Sequence, residues 1–75
     1  MPLDRIQAAQ LKQFGANVKR ERVARGMSQE KLAEAVELHP RTVQKIEVGE
    51  TNILLTTVVR FRKALKSSWD NLMPG

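Results

Sequence analysis

The sequence predicts an all-α protein, a compact bundle of four to five short helices. Apolar residues recur at helical spacing along most of the chain, and helix-ending signals separate the periodic segments. Only Phe14, Phe61 and Trp69 are aromatic, so Leu, Val, Ile and Ala must fill the interior. A chain of 75 residues suits one domain with a thin core, because it buries only about 60% of its unfolded surface.

The first predicted helix runs from Leu11 to about Arg25. Its apolar residues recur at helical spacing, and Gly26 follows as a stop signal. Residues 1–10 are predicted to form either an N-terminal arm or a short helix that starts near Asp4. The main domain is therefore placed after residue 10.

The next two helices are short and lie close together in the chain. Ser28 suits the N-cap position of a second helix that runs to about Val36. Pro40 is favoured at the first position of a third helix, which runs to about Val48 and stops at Gly49. The residues predicted to face the core from these two helices are Leu32, Ala33, Val36, Val43 and Ile46.

The remaining chain predicts one longer helix and one short one. A polar connection over residues 50–52 leads into a fourth helix, which extends from about Leu55 to Leu65. A last piece from Ser68 to Met73 has one or two turns. These segments complete the predicted bundle.

The charge balance suits either a polyanionic partner or a basic surface that is merely solvated. The formal net charge is +5, with 13 Lys and Arg against 8 Asp and Glu. Cysteine is absent and His39 is the one histidine, so a single chain offers neither a disulfide nor a Cys/His zinc site. No metal or cofactor is predicted.

Two further classes are disfavoured by the sequence. No apolar run has the length of a secretory leader or a membrane span, so we expect a soluble, cytoplasmic protein with no membrane partner. An enzyme is the least favoured class, because the scattered carboxylates and single histidine leave no credible nucleophile–base pair.

Two short helices joined by a tight turn have the geometry by which a recognition helix enters the major groove of DNA. In this segment the chain resembles the repressor and Cro-like (XRE) helix-turn-helix family, of the lambda-repressor-like type. The residues that carry the resemblance are Ser28, Gln29, Leu32, Ala33, Val43, Ile46, Glu47 and Gly49.

This resemblance implies a function. We expect residues 11–73 to form a DNA-binding domain with its helix-turn-helix at about residues 28–48. The expected function is that of a sequence-specific transcription regulator that binds double-stranded DNA. The expected form is a homodimeric repressor or controller protein on a short palindromic operator.

The resemblance also assigns DNA contacts. Among the recognition-helix positions, Arg41, Gln44 and Lys45 have the reach to contact bases. The hydroxyl of Thr42 meets either a phosphate or its own helix. The residues expected to contact the DNA backbone are Ser28, Gln29, His39, Thr42, Thr51 and Asn52.

Other positions are given structural roles. In the family, the residues at Arg22 and Glu47 form an internal ion pair, so Arg22 is not counted as a DNA contact. Glu37 stands where the family usually has a turn glycine, and Glu50 stands where basic residues are common. These two departures predict a strained turn and a local repulsion of phosphate.

The apolar C-terminus predicts a contact surface. Because a chain of this size has limited interior, we assign Trp69 to the core and Leu72 and Met73 to a dimer surface. An alternative function uses the same fold for protein interaction, as in the antitoxin half of a toxin–antitoxin pair. Only residues 1–10 and the final helix would then serve a protein partner.

Overall fold

The structure is a computed structural model that describes residues 4–75. Within this range it contains five helices and no strand. The helices are α1 (Arg5–Ala24), α2 (Gln29–Val36), α3 (Pro40–Glu47), α4 (Leu55–Leu65) and α5 (Trp69–Leu72). The predicted all-α bundle is confirmed.

Helix α1 begins earlier than predicted. The Asp4 carboxylate accepts a hydrogen bond from the backbone N–H of Gln7 at 2.7 Å, and the Gln7 side chain accepts from the Asp4 N–H at 3.2 Å. This capping box satisfies two N–H groups that a helix start otherwise leaves unpaired. Residues 5–10 therefore belong to α1, rather than to an arm or a separate short helix. Residues 1–3 of the predicted segment lie outside the described residues.

The ends of α2 and α3 follow the predicted local chemistry. Ser28 Oγ accepts a hydrogen bond from the Lys31 N–H at 3.0 Å, and His39 Nδ1 accepts from the Arg41 N–H at 3.1 Å. Pro40 occupies the start of α3. Between the two helices Glu37 has a φ of 59°, the left-handed conformation for which the family's usual glycine is suited.

The core lies where all five helices meet. Phe14 of α1 and Phe61 of α4 contact each other edge to face, with ring centroids 6.4 Å apart. Gly15 allows α1 to approach the end of α3, because a Cβ at Gly15 would overlap the backbone oxygens of Ile46 and Glu47. The other apolar side chains of the buried cluster are Val18, Leu32, Ala33, Val36, Val43, Ile46, Val58, Leu65 and Leu72.

The roles assigned to Trp69 and Leu72 are wrong. Leu72 is fully buried, whereas Trp69 is 41% exposed and Met73 is 39% exposed. Asn17 Nδ2 donates to the Leu72 carbonyl oxygen at 2.9 Å, which holds Leu72 against α1. Trp69 lies under the guanidinium of Arg62, whose central carbon is 5.1 Å from the ring centroid. Leu72 is therefore a core residue and is removed from the dimer surface.

Candidate nucleic-acid interface

Helix α3 separates an apolar face from a polar one. Val43 and Ile46 are buried in the core, whereas Arg41, Gln44 and Lys45 are exposed. Residues three and four apart are neighbours on a helix surface, so these three polar side chains form one group. They line a shallow open depression, here called the α3 hollow, together with Val48 and Glu50. The structure thus brings together the three residues predicted to contact bases.

An ion pair holds the last residue of α3. Arg22 Nε lies 2.7 Å from Glu47 Oε2, and Arg22 Nη2 lies 3.2 Å from Glu47 Oε1. Arg22 Nη1 also donates to the Met27 carbonyl oxygen at 2.8 Å. The pair expected from the resemblance therefore links α1, the turn before α2 and the end of α3. Because one guanidinium makes these contacts, the three segments are held in a defined relation.

Gln29 belongs to the same network. Its Nε2 donates to Glu47 Oε1 at 3.0 Å, and the residue is half-buried. Gln29 thus connects the first turn of α2 to the last turn of α3. The bond to Glu47 is compatible with the predicted phosphate contact, because the Gln29 amide has a second N–H to donate. The phosphate contact stays a prediction. The bond to Glu47 was missed because the two residues are 18 positions apart and no local pattern joins them.

The predicted backbone contacts do not all lie beside α3. Ser28 and His39 are exposed helix caps at the starts of α2 and α3. Thr51 Oγ1 donates to the Asn52 carbonyl oxygen at 3.3 Å, and Asn52 Oδ1 accepts from the Ile53 N–H at 3.0 Å.

Thr42 and Asn52, which are also predicted to contact the DNA backbone, lie in different surroundings. Thr42 is half-buried on α3. Asn52 lines a different depression, beside Gln10 and Leu11. The structure therefore places Asn52 apart from the α3 hollow.

A second polar cluster joins α1 to the chain around α5. Glu21 Oε1 accepts a hydrogen bond from Ser67 Oγ at 2.7 Å and another from Arg25 Nη1 at 3.2 Å. The Ser67 hydroxyl, with help from Arg20 and Arg25, holds the pKa of Glu21 below its ordinary value, against the opposing effect of burial. Arg25 is thus paired internally. In the sequence, only the four-residue spacing of Glu21 and Arg25 indicates that these two side chains pair.

Within residues 4–75, no three His, Cys, Asp or Glu side chains are grouped so that they would hold a metal ion. None of the helices there combines the length and the apolar character needed to cross a bilayer. The candidate site is the α3 hollow, because the three residues predicted to contact bases are exposed together there.

Comparisons with known proteins agree with this geometry. A helix-turn-helix family model, HTH_3, matches residues 18–72. A search of curated proteins found no match. The structure is similar to that of the restriction-modification controller protein C.AhdI from Aeromonas hydrophila, with a TM-score of 0.81 and 32% identity. That match covers 87% of this chain and 98% of the controller protein.

Two other solved structures are similar. The hypothetical transcription factor NHTF from Neisseria has a TM-score of 0.77 and 30% identity, covering 89% of this chain and 78% of that one. The clp gene regulator ClgR from Corynebacterium glutamicum has a TM-score of 0.79 and 21% identity, covering 95% and 86%. At 21% identity the likeness to ClgR concerns the fold alone. Since the family model spans α2, α3 and most of the core, the chain belongs to the HTH_3 family of helix-turn-helix proteins.

Proposed function

We propose that this chain, a DNA-binding transcription regulator of the helix-turn-helix type, binds a short palindromic operator as a homodimer and acts as a repressor or controller protein. One observation carries the proposal. Arg41, Gln44 and Lys45 lie together and exposed on α3, while the opposite face of that helix is buried. The named function of C.AhdI, a restriction-modification controller, supports the same class.

Base reading is assigned to the α3 hollow. A major groove about 12 Å wide admits one helix, so α3 enters with its polar face toward the base edges. Arg41 donates two hydrogen bonds to guanine, and Gln44 pairs with adenine through its amide. Lys45 donates to guanine or to a neighbouring phosphate.

Contacts to the DNA backbone are assigned to residues around α3. The N-terminal turn of α2, which begins after Ser28, presents backbone N–H groups that suit a phosphate. Gln29, His39, Thr42 and Thr51 supply further polar groups. Asn52 is proposed for the same role, although it lies apart from the α3 hollow. The net charge of +5 favours the approach of DNA.

The homodimer contact is assigned to an exposed apolar surface. Leu55 is 71% exposed, and it lines a depression that Leu11, Ile53 and Met73 also line. Exposed apolar area of this kind favours association. A homodimer carries two copies of α3, which a palindrome with half-sites about 34 Å apart requires.

The first test measures DNA binding by fluorescence anisotropy. Wild type, Arg41→Ala and the control Arg60→Ala are titrated with a randomised duplex pool across a salt series, and bound duplexes are then sequenced. Arg60 is exposed on α4 and lines a different depression from the α3 hollow. We expect wild type and Arg60→Ala to enrich the same palindrome. Arg41→Ala should lose about 1–3 kcal/mol of discrimination at one base pair in each half-site.

The same experiment can overturn the proposal. If wild type binds every duplex equally weakly at physiological salt, sequence-specific regulation is ruled out. The apolar depression around Leu55 would then favour the second candidate, an antitoxin-type or other protein-interaction module. Co-purification of a protein encoded next to this chain would support that alternative.

A further inference from the structure

Glu50 places a carboxylate within the α3 hollow. It is exposed and lines this depression together with Arg41, Gln44 and Lys45. The ion pairs found within residues 4–75 join other side chains, so no cation of the described chain lies within ion-pair distance of the Glu50 carboxylate. A negative charge on a surface proposed to face DNA requires an explanation, because phosphate repels it.

The backbone holds Glu50 at this position. The Glu50 N–H donates to the Lys45 carbonyl oxygen at 2.9 Å, which ties the residue to the last turn of α3. Gly49 before it has a φ of +77°, and a Cβ there would come within 2.7 Å of Lys12 Cα. The chain therefore turns at Gly49 against α1 and returns Glu50 to the α3 surface. The hydrogen bond to Lys45 and the turn at Gly49 thus fix the backbone position of Glu50.

The chemistry of base edges selects one partner for a carboxylate. In the major groove, guanine shows two acceptors, thymine shows an acceptor oxygen, and adenine shows an acceptor next to its amino group. Each of these repels a carboxylate at least in part. Cytosine shows the N4 amino donor, which a carboxylate accepts. The guanine paired with that cytosine presents acceptors that suit Arg41 or Lys45 in the same hollow.

We propose that Glu50 is a specificity-determining residue that accepts a hydrogen bond from the N4 amino group of a cytosine in each half-site. This inference rests on the proposed function, since it requires α3 to lie in the major groove. It differs from a general electrostatic role, in which the carboxylate would weaken binding to all sequences alike. The two roles predict different results for the same substitutions.

The test selects bound duplexes from a randomised pool with wild type, Glu50→Ala, Glu50→Gln and the control Glu34→Gln. Glu34 is exposed on α2 outside the α3 hollow, so its substitution removes the same charge elsewhere. Glu50→Ala should lose the cytosine preference at one position by about tenfold. Glu50→Gln should shift that position toward adenine, because an amide matches the donor and acceptor of adenine. Glu34→Gln should keep the wild-type preference.

Circular dichroism first establishes that each variant is folded. If the Glu50 variants bind all sequences more tightly, with wild-type base preferences, Glu50 acts only by repulsion and the proposal is overturned while the proposed function stands. The proposal is also overturned if the positions whose base preference the Glu50 variants change hold no cytosine in the operator that wild type selects. If wild type selects no sequence, the proposed function and this inference both fail.

Discussion

Arg22 and Glu47 form a two-bonded ion pair that joins the C-terminal part of α1 to the last residue of α3. The two distances are 2.7 Å and 3.2 Å, and the side chains are only 11% and 2% exposed. Because α3 has eight residues and starts at a tight turn, a fixed last residue sets the direction of the whole helix. The polar face of α3 is thus oriented by a buried ion pair and not by its own exposed side chains.

Replacement of Glu47 by alanine is expected to destabilise the fold. The substitution leaves the guanidinium of Arg22 buried without its partner, which costs about 3–5 kcal/mol. Urea unfolding measures this loss. In the double variant Arg22→Ala/Glu47→Ala no unpaired charge remains, so its loss should be well below the sum of the two single losses. Additive losses would show that the pair contributes nothing of its own.

Gly15→Ala is expected to destabilise the protein although alanine favours helices. The added Cβ would overlap the carbonyl oxygens of Ile46 and Glu47, so α1 and α3 must move apart at a cost of about 1–3 kcal/mol. Gly26→Ala is the reference for a purely conformational cost, because its Cβ meets no atom within 4 Å and its φ of +66° alone costs about 1–2 kcal/mol. Thermal unfolding compares the two. A stabilised Gly15→Ala would contradict the close approach of these helices.

Glu37→Gly is expected to stabilise the protein by about 0.5–1 kcal/mol. Glu37 adopts a φ of 59°, a conformation that costs a residue with a Cβ about 1–2 kcal/mol. Glycine removes this strain, but its greater conformational freedom in the unfolded chain cancels part of the stabilisation. Glu34→Gly removes the same side chain inside α2 and should destabilise by about 1 kcal/mol. Chemical denaturation gives both values. If Glu37→Gly and Glu34→Gly changed the free energy of unfolding equally, the turn at Glu37 would be unstrained.

The stabilising effect of Ser67 is expected to depend on pH. Its hydroxyl is the main cause that lowers the pKa of Glu21 from its ordinary value. A carboxyl with a lower pKa in the folded state stabilises the fold fully above its unfolded pKa, and this contribution is lost as the pH falls through the folded pKa. Ser67→Ala should therefore reduce the free energy of unfolding more at about pH 7 than at about pH 2.

The control for this prediction repeats Ser67→Ala in a Glu21→Gln background. Because the amide does not ionise, the effect of the serine substitution should then be the same at both pH values. Unfolding by urea at each pH measures all four proteins. A pH-independent effect of Ser67→Ala in the wild-type background would contradict the conclusion that Ser67 lowers the pKa of Glu21.

Leu72 and Met73 are expected to respond differently to alanine. Leu72 is fully buried, so Leu72→Ala should lower the free energy of unfolding by about 2–5 kcal/mol. Met73 is partly exposed, so Met73→Ala should leave the monomer folded and weaken the proposed homodimer. Sedimentation velocity over a concentration series measures association. Unchanged association in Met73→Ala would place the dimer contact elsewhere.

Sequence reasoning succeeded where the governing chemistry is local. Ser28, Pro40 and Gly49 mark the helix-turn-helix through capping, a missing N–H and a left-handed turn, each of which acts within a few residues. The early start of α1 could also be predicted from local chemistry, since Asp4 and Gln7 have the spacing of a capping box. Helical periodicity separated the buried and exposed faces of α3 in the same way.

What the sequence by itself determined was a bundle of four to five helices, most of the helix ends and the polar set on α3. Only the tertiary structure decided that Leu72 is buried and Trp69 exposed, and that Gln29 binds Glu47. Caps and periodicity depend on neighbours within about one helical turn. The choice of which side chain enters a limited core depends on segments distant in the chain, such as α1 against α5, and these meet only when the chain is folded.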